Sequence, residues 1–184
     1  MNKFSIFNSQ FSINSGMTLP EFLGVCGIII AILLVALFNF QDSKVKSQDE
    51  QRKANASAVV HALEKYQKDF NKFPRSQDGK ILACGDPKNL RPCEWGFDKL
   101  VDLRDPTYPP YLDPIPLDPR QGQGNSFYYL SDGYDIQIFA HLVRMQDPAR
   151  SSEIEKWQLA CGREICNYGI TSSIKPVKKL LKVE

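Results

Sequence analysis

The feature that most constrains this chain is an apolar segment of membrane-spanning length near its N-terminus. Residues 22–38 contain only apolar residues and glycine, and Glu21 immediately precedes them. About 17 to 25 apolar residues cross a bilayer as an α-helix, so this segment is long enough to do so. A carboxylate beside hydrocarbon costs free energy unless it finds a partner. Glu21 is therefore a candidate functional residue.

The apolar segment does not have the pattern of a cleaved secretory signal. Residues 38–41 (FNFQ) offer no small-x-small cleavage site after it, and residues 1–16 have no apolar core of their own. A single-pass anchor is the simplest interpretation. The basic residues that follow the segment favour a cytoplasmic C-terminal part. The cysteine pairs and the loop-rich second part favour the opposite orientation.

The five cysteines indicate an exported domain. Cys84 lies close to Cys93 in sequence and Cys161 close to Cys166, whereas Cys26 lies in the apolar segment. Two short-range pairs are typical of disulfides that fix loops in an oxidising compartment. A four-cysteine zinc site is the alternative, but neither pair has the two-residue gap that is common in zinc knuckles.

Composition and residue pattern argue against several other classes of function. The net charge is only +2, which gives no reason to expect nucleic-acid binding. The two histidines, His61 and His141, do not belong to a recognisable catalytic motif, so we expect no enzyme activity. Four loop aspartates could supply oxygen ligands for calcium, but no dense acidic loop of the EF-hand type is present. We therefore assign no metal or cofactor, with a calcium site as the alternative, and interpret these aspartates as solvated turn residues: Asp113, Asp118, Asp132 and Asp135.

A long helix is predicted because no glycine or proline occurs between Gly27 and Pro74. Residues 41–53 are mostly polar, and acid-then-base pairs four residues apart, Asp42 with Lys46 and Asp49 with Lys53, favour a helix there. An apolar stripe at helical spacing follows and is expected to pack on the rest of the domain. We predict one helix from about Leu19 to about Phe70, with this stripe: Ala54, Ala58, Val59, Ala62, Leu63, Tyr66 and Phe70.

The remaining chain is predicted to be loop-rich with a small sheet. Residues 74–110 suggest a loop with a short helix near 97–103, and the prolines of residues 109–119 exclude regular structure. Residues 126–131 and 134–143 suggest two strands joined at Asp132-Gly133. Residues 157–160 fit either a third strand or a short helix. The basic tail from Lys175 is expected to be mobile.

The N-terminal motif resembles a known processing signal. Residues 16–23, GMTLPEFL, followed by the apolar segment, resemble the signal of type IV pilins and of type II secretion pseudopilins, nearest to the major pseudopilins. The resemblance implies cleavage between Gly16 and Met17 by a prepilin peptidase, N-methylation of Met17, and a role for Glu21 in assembly. Methionine at the first mature position and a leader of sixteen residues depart from the commonest pattern. Pro20 replaces an aliphatic residue but is tolerated in a first helical turn.

The same resemblance implies a domain plan and a function. The fold would be α+β and pilin-like: a leader (1–16), a transmembrane helix half (17–40), an amphipathic helix half (41–73) and a disulfide-fixed globular domain (74–184). The chain would be a subunit of a pilus-like filament or secretion pseudopilus, working with related subunits, an assembly ATPase and a platform membrane protein. It would sit in the inner membrane with a cytoplasmic N-terminus. The alternative is a singly anchored extracytoplasmic binding domain with no filament role.

Overall fold

The described part of the chain contains a long N-terminal helix, a short second helix and three small antiparallel sheets. A computed structural model describes residues 18–182. Helix α1 spans Leu19–Phe70 and is followed by β1 (Ser76–Gln77), β2 (Lys80–Asp86), β3 (Asn89–Pro92), β4 (Tyr128–Ser131), β5 (Ile136–Ala140), α2 (Ser152–Lys156), β6 (Ala160–Cys161), β7 (Glu164–Ile165), β8 (Tyr168–Thr171) and β9 (Lys175–Pro176). The α+β, pilin-like fold class expected from the sequence is confirmed.

Helix α1 begins and ends where the sequence predicts. Pro20 lies in its first turn, where a missing N–H leaves no helical hydrogen bond unmade. After Phe70, Asn71 takes a left-handed conformation with φ of 58°, a common way to end a helix, and Pro74 prevents its resumption. By contacts, the chain divides into two compact units between Asp42 and Ser43, so α1 contributes to both.

The second unit has one main apolar core, to which α1 contributes a continuous stripe. Ala56, Val59, Val60 and Leu63 are buried there with residues of β2, β4 and β5. The predicted stripe was wrong in one respect, because Ala54 is exposed while Ala56 and Val60 are buried. The buried positions follow one helical face that begins earlier, at Asp49, and continues through Arg52.

The four-stranded sheet has the order β4-β5-β8-β9, and all of its strand pairs are antiparallel. The predicted hairpin is confirmed: Tyr129 pairs with Ile138, and the turn includes Asp132 and Gly133. Ile136, Ile138 and Ala140 face the core that includes α1, as expected. The third strand of this sheet is β8. Residues 157–160 instead follow the short helix α2 and enter β6.

Two expectations about the C-terminal part were wrong. Residues 74–110 hold the sheet β1-β2-β3, and residues 97–103 are turns and an isolated bridge at Leu100, with no helix. The tail from Lys175 is held by packing: β9 pairs with β8, and Val177 is buried against Phe139. This second, smaller core covers the face of the four-stranded sheet that α1 does not contact.

Candidate functional site

The apolar N-terminal part of α1 is the first candidate site. Its described large apolar side chains, from Leu19 to Phe40, are exposed. By length and composition this helix is able to cross a membrane. Added Cβ atoms at Gly24 and Gly27 would contact no other described atom, so no contact among the described residues requires glycine there.

Glu21 lies in the first turn of this apolar segment. Its side chain is exposed, and the turn is closed by a hydrogen bond from Phe22 N–H to the Thr18 carbonyl at 3.0 Å. A carboxylate in the first turn also interacts favourably with the positive end of the helix dipole. Gly16 and Met17 lie outside the described residues, so cleavage and methylation there stay predictions.

The second feature is an ionic cluster that ties α1 to the globular domain. Arg52 is completely buried, and its guanidinium donates to both oxygens of Asp118, with Nε–Oδ2 at 2.8 Å and Nη2–Oδ1 at 3.0 Å. Its Nη1 donates to Asp49 Oδ1 at 2.6 Å. Such bidentate, charge-assisted bonds are geometrically specific. We call Asp49, Arg52 and Asp118 the anchoring cluster.

Backbone groups complete the anchoring cluster. Asp49 accepts hydrogen bonds from the N–H groups of Val143 and Arg144 at 3.1 and 2.8 Å, and Asp118 accepts from Arg120 N–H at 2.7 Å. Each buried charge therefore has several partners, which is the condition under which a buried ion pair offsets its desolvation cost. Two helix residues, Asp49 and Arg52, thus fix two loops that are distant in sequence.

A more exposed layer surrounds the cluster. Lys53 Nζ donates to Asp147 at 2.7 Å and to Glu50 at 3.0 Å. Burial opposes the charge of Lys53, but the hydrogen bonds to these carboxylates outweigh it and raise its pKa above the ordinary value. Arg120 Nε donates to Gln48, and Asn55 donates to the Leu117 carbonyl. Together these bonds hold residues 48–55 against both loops.

Sequence reasoning missed the anchoring cluster. It predicted a pair between Asp49 and Lys53, which is wrong, because Asp49 binds Arg52 and Lys53 binds Glu50 and Asp147. A usable signal existed: Arg52 precedes Ala56 by four residues and Val59 by seven, so it lies on the apolar stripe. A charged residue on a buried stripe requires a partner.

Both predicted cysteine pairs are disulfides. Cys84 is bonded to Cys93 with their Cα atoms 5.2 Å apart, and Cys161 to Cys166 with theirs 5.1 Å apart. The first bond links β2 to the end of β3, and the second closes the β6–β7 hairpin. A zinc site made by the four cysteines does not form, because their sulfurs are committed to these bonds.

The loop aspartates and the histidines do not converge on one site. Asp113 pairs with Lys99, and Asp132 accepts the N–H groups of Tyr134 and Asp135. The expectation that Asp118 is a solvated turn residue was wrong, because it is buried in the anchoring cluster. Those N–H groups lower the pKa of Asp132. Within residues 18–182, no group of three or more metal-ligating side chains is present. His61 is exposed near Glu64, and His141 contacts the Ile165 carbonyl.

Comparison with known proteins gives no match: no family model, no curated protein and no solved structure matches this chain. The resemblance to pilins and pseudopilins therefore depends on the N-terminal motif and on the fold class.

Proposed function

We propose that this chain is a structural subunit of a type IV pilus-like filament or of a type II secretion pseudopilus. The observation that carries the proposal is the division of α1. Its first part is apolar, exposed and preceded by one carboxylate, Glu21, and its second part is buried in an α+β domain. In a filament, the apolar first part of such a helix would pack against neighbouring subunits. Its second part would hold the globular domain.

Glu21 gives the proposed assembly its register. An unpaired carboxylate among apolar helices costs free energy, and a positive group on a neighbouring subunit offsets that cost only when the two are aligned. Cleavage after Gly16 would create that group, the free amine of Met17. Before cleavage the same nitrogen is a neutral amide, so processing would permit assembly.

The proposed partners and location follow from the resemblance. A prepilin peptidase would cleave the leader and methylate Met17, and an assembly ATPase and a platform membrane protein would drive polymerisation. The chain would be inserted in the inner membrane with its N-terminus in the cytoplasm. Two disulfides in the second unit agree with an extracytoplasmic domain, since such bonds persist in oxidising compartments.

Intact mass of the membrane-extracted protein tests processing. Expressed with an active prepilin peptidase, the mature chain should lack residues 1–16 and carry one additional methyl group. A chain that keeps its leader under these conditions would support the alternative, a singly anchored binding domain. Expression without the peptidase is the control and should give the full-length mass.

A matched pair of variants tests the role of Glu21. Glu21→Gln keeps the size of the side chain and removes its charge, so membrane insertion should be normal while filament yield falls by at least about tenfold, equivalent to about 1.4 kcal/mol. Asp42→Asn removes one exposed charge from the same helix and should leave the yield unchanged. Equal filament yields from Glu21→Gln and the unmodified chain would exclude the role assigned to Glu21.

A further inference from the structure

A basic, grooved surface surrounds the turn between β4 and β5. Three adjoining grooves of about 420, 510 and 610 Å³ open there. Tyr134 lines the grooves of about 420 and 610 Å³, and Asp135 lines those of about 420 and 510 Å³. The three grooves are therefore neighbours, and we call the area that they cover the hairpin surface. It lies beside the C-terminal end of α1, which contributes Glu64, Gln67 and Lys68 to its lining.

The end of α1 and the segment after it supply three cations to the hairpin surface. Lys68 and Arg75 line its grooves, and Lys72 Nζ lies 5.6 Å from the centre of the Tyr134 ring. The Tyr134 side chain is 68% exposed, although tyrosine is commonly at least partly buried. The exposed ring of Tyr134 therefore lies near the positively charged side chains of Lys68, Lys72 and Arg75.

The C-terminal tail supplies four more cations: Lys175, Lys178, Lys179 and Lys182. All four side chains are exposed. Among residues 18–182, none of the seven cations of the hairpin surface forms an ion pair, whereas Arg91 and Arg104 elsewhere on the domain do. The positive charge at this surface is therefore available to a ligand.

Three carboxylates also lie at the hairpin surface. Asp132 is occupied by two backbone N–H groups, and Glu64 accepts the N–H of Ser173 at 2.6 Å. Asp135 is exposed. Counted over residues 18–182, seven cations face three carboxylates at this surface and make it positive, although the whole chain carries only +2. The low net charge of the sequence gives no indication that positive charges cluster at this one surface.

The tail is built into the fold as a defined part of this surface. Gln137, which is buried, donates to the Lys179 carbonyl at 2.6 Å and accepts from Leu181 N–H at 3.0 Å. Before the tail, Ser173 and Ile174 have φ of 58° and 53°, a conformation that is unfavourable for a β-branched residue. Such backbone strain persists only where surrounding contacts impose it, and it is concentrated at functional sites.

From these observations we infer that the hairpin surface binds single-stranded nucleic acid. Lysines and arginine along a groove match a phosphate backbone, and an exposed tyrosine ring provides a platform on which a base stacks. A sulfated polysaccharide would use the cations but has no aromatic base for Tyr134. A membrane surface would not fill the grooves. This inference is independent of the filament function.

Fluorescence anisotropy with the full chain in detergent tests the inference. The probe is a fluorescein-labelled single-stranded oligothymidylate of about 15 nucleotides, within the site sizes of known single-strand binders. Lys178→Gln/Lys179→Gln should weaken binding by at least about tenfold and reduce the salt dependence of log Kd by about 1.4, the slope expected for two lost phosphate contacts. Tyr134→Ala should weaken it by about fivefold or more.

Controls separate this assignment from general attraction of anions. Lys46→Gln/Lys88→Gln removes two exposed lysines outside the hairpin surface and should leave affinity within about twofold. Heparin binding should not respond to Tyr134→Ala. The inference is overturned if the oligonucleotide does not bind saturably or if both lysine pairs have equal effects. It is also overturned if Tyr134→Ala leaves the affinity unchanged, or if anionic vesicles bind where the oligonucleotide does not.

Discussion

Arg52 on helix α1 binds both carboxylate oxygens of Asp118, 66 residues later in the chain, and both side chains are completely shielded from solvent. The same guanidinium binds Asp49 on its own helix. Removal of one partner from a buried ionic group leaves the others unpaired in a low-dielectric environment. The stability of the domain should therefore depend strongly on this one arginine.

Arg52→Met should lower the free energy of unfolding by about 3–5 kcal/mol, because Asp49 and Asp118 would remain as buried, unpaired charges. Chemical denaturation of the full chain in detergent, followed by the fluorescence of Trp95 and Trp157, measures the loss. Lys156→Met, which breaks an exposed pair with Glu153, should cost clearly less. The triple variant Arg52→Met/Asp49→Asn/Asp118→Asn should recover part of the loss. No recovery would show that unpaired charge is not the cause.

Asp147 should make the domain sensitive to acid. Burial opposes its charge, but hydrogen bonds from Lys53 and from Ala149 N–H lower its pKa below the ordinary 3.8. A carboxylate with a depressed pKa stabilises the fold above its unfolded-state pKa, and this contribution is lost as the pH falls through the folded-state value. Asp147→Asn should therefore give a shallower fall in Tm as the pH is lowered below about 4.

Thermal melts of the full chain at a series of pH values measure this difference. Asp135→Asn, at an exposed residue, is the matched control and should keep the unmodified chain's acid sensitivity. Some sensitivity should remain in Asp147→Asn, because Asp98 and Asp132 also have lowered pKa values. Identical Tm profiles for Asp147→Asn and the unmodified chain would contradict the prediction.

Gln137→Ala should release the C-terminal tail. The variant loses both hydrogen bonds that hold the Lys179 carbonyl and Leu181 N–H, each worth about 1 kcal/mol. Trypsin should then cleave after Lys178 and Lys179 about tenfold faster, because cleavage requires local opening of the tail. Gln51→Ala, on an exposed face of α1, should leave the cleavage rate unchanged. A tail equally resistant in both variants would mean that Val177 and strand β9 suffice to hold it.

Gly162→Ala should be one of the most destabilising small substitutions in the domain. Gly162 has φ of 79°, and an added Cβ would overlap the carbonyl oxygen of Gly124 and approach Ser126 N to 2.9 Å. We expect a loss of about 2 kcal/mol or more from backbone strain and displacement of the adjacent loop. Gly122→Ala places its Cβ in open space and should change stability by less than about 1 kcal/mol. Denaturant melts of the two variants give the comparison.

The sequence predicted those elements whose signals are local. Helix α1 follows from the absence of glycine and proline between Gly27 and Pro74, and the hairpin from alternating residues around Asp132-Gly133. The disulfides follow from short cysteine spacing in a loop-rich segment. In each case the residues that determine the structure are close together in the chain.

Elements that depend on distant partners could not be predicted in this way. Strands β1, β2 and β3 include polar residues without a clear alternation, and β4 adjoins them through a hydrogen bond from Tyr129 N–H to the Gly79 carbonyl. The basic tail has the composition of a mobile segment, and only its contact with Gln137 and the second core orders it. The partner of Arg52 lies in a proline-rich loop with no local signal.

The anchoring cluster also has a mechanical consequence. Any pull applied to the N-terminal side of α1 first meets the domain at residues 48–55, where Arg120, Val143 and Asp147 are attached. These bonds join the helix to two separate loops, so a force on the helix is shared among several bonds. Withdrawal of residues 48–55 from the domain would therefore require several of these bonds to break.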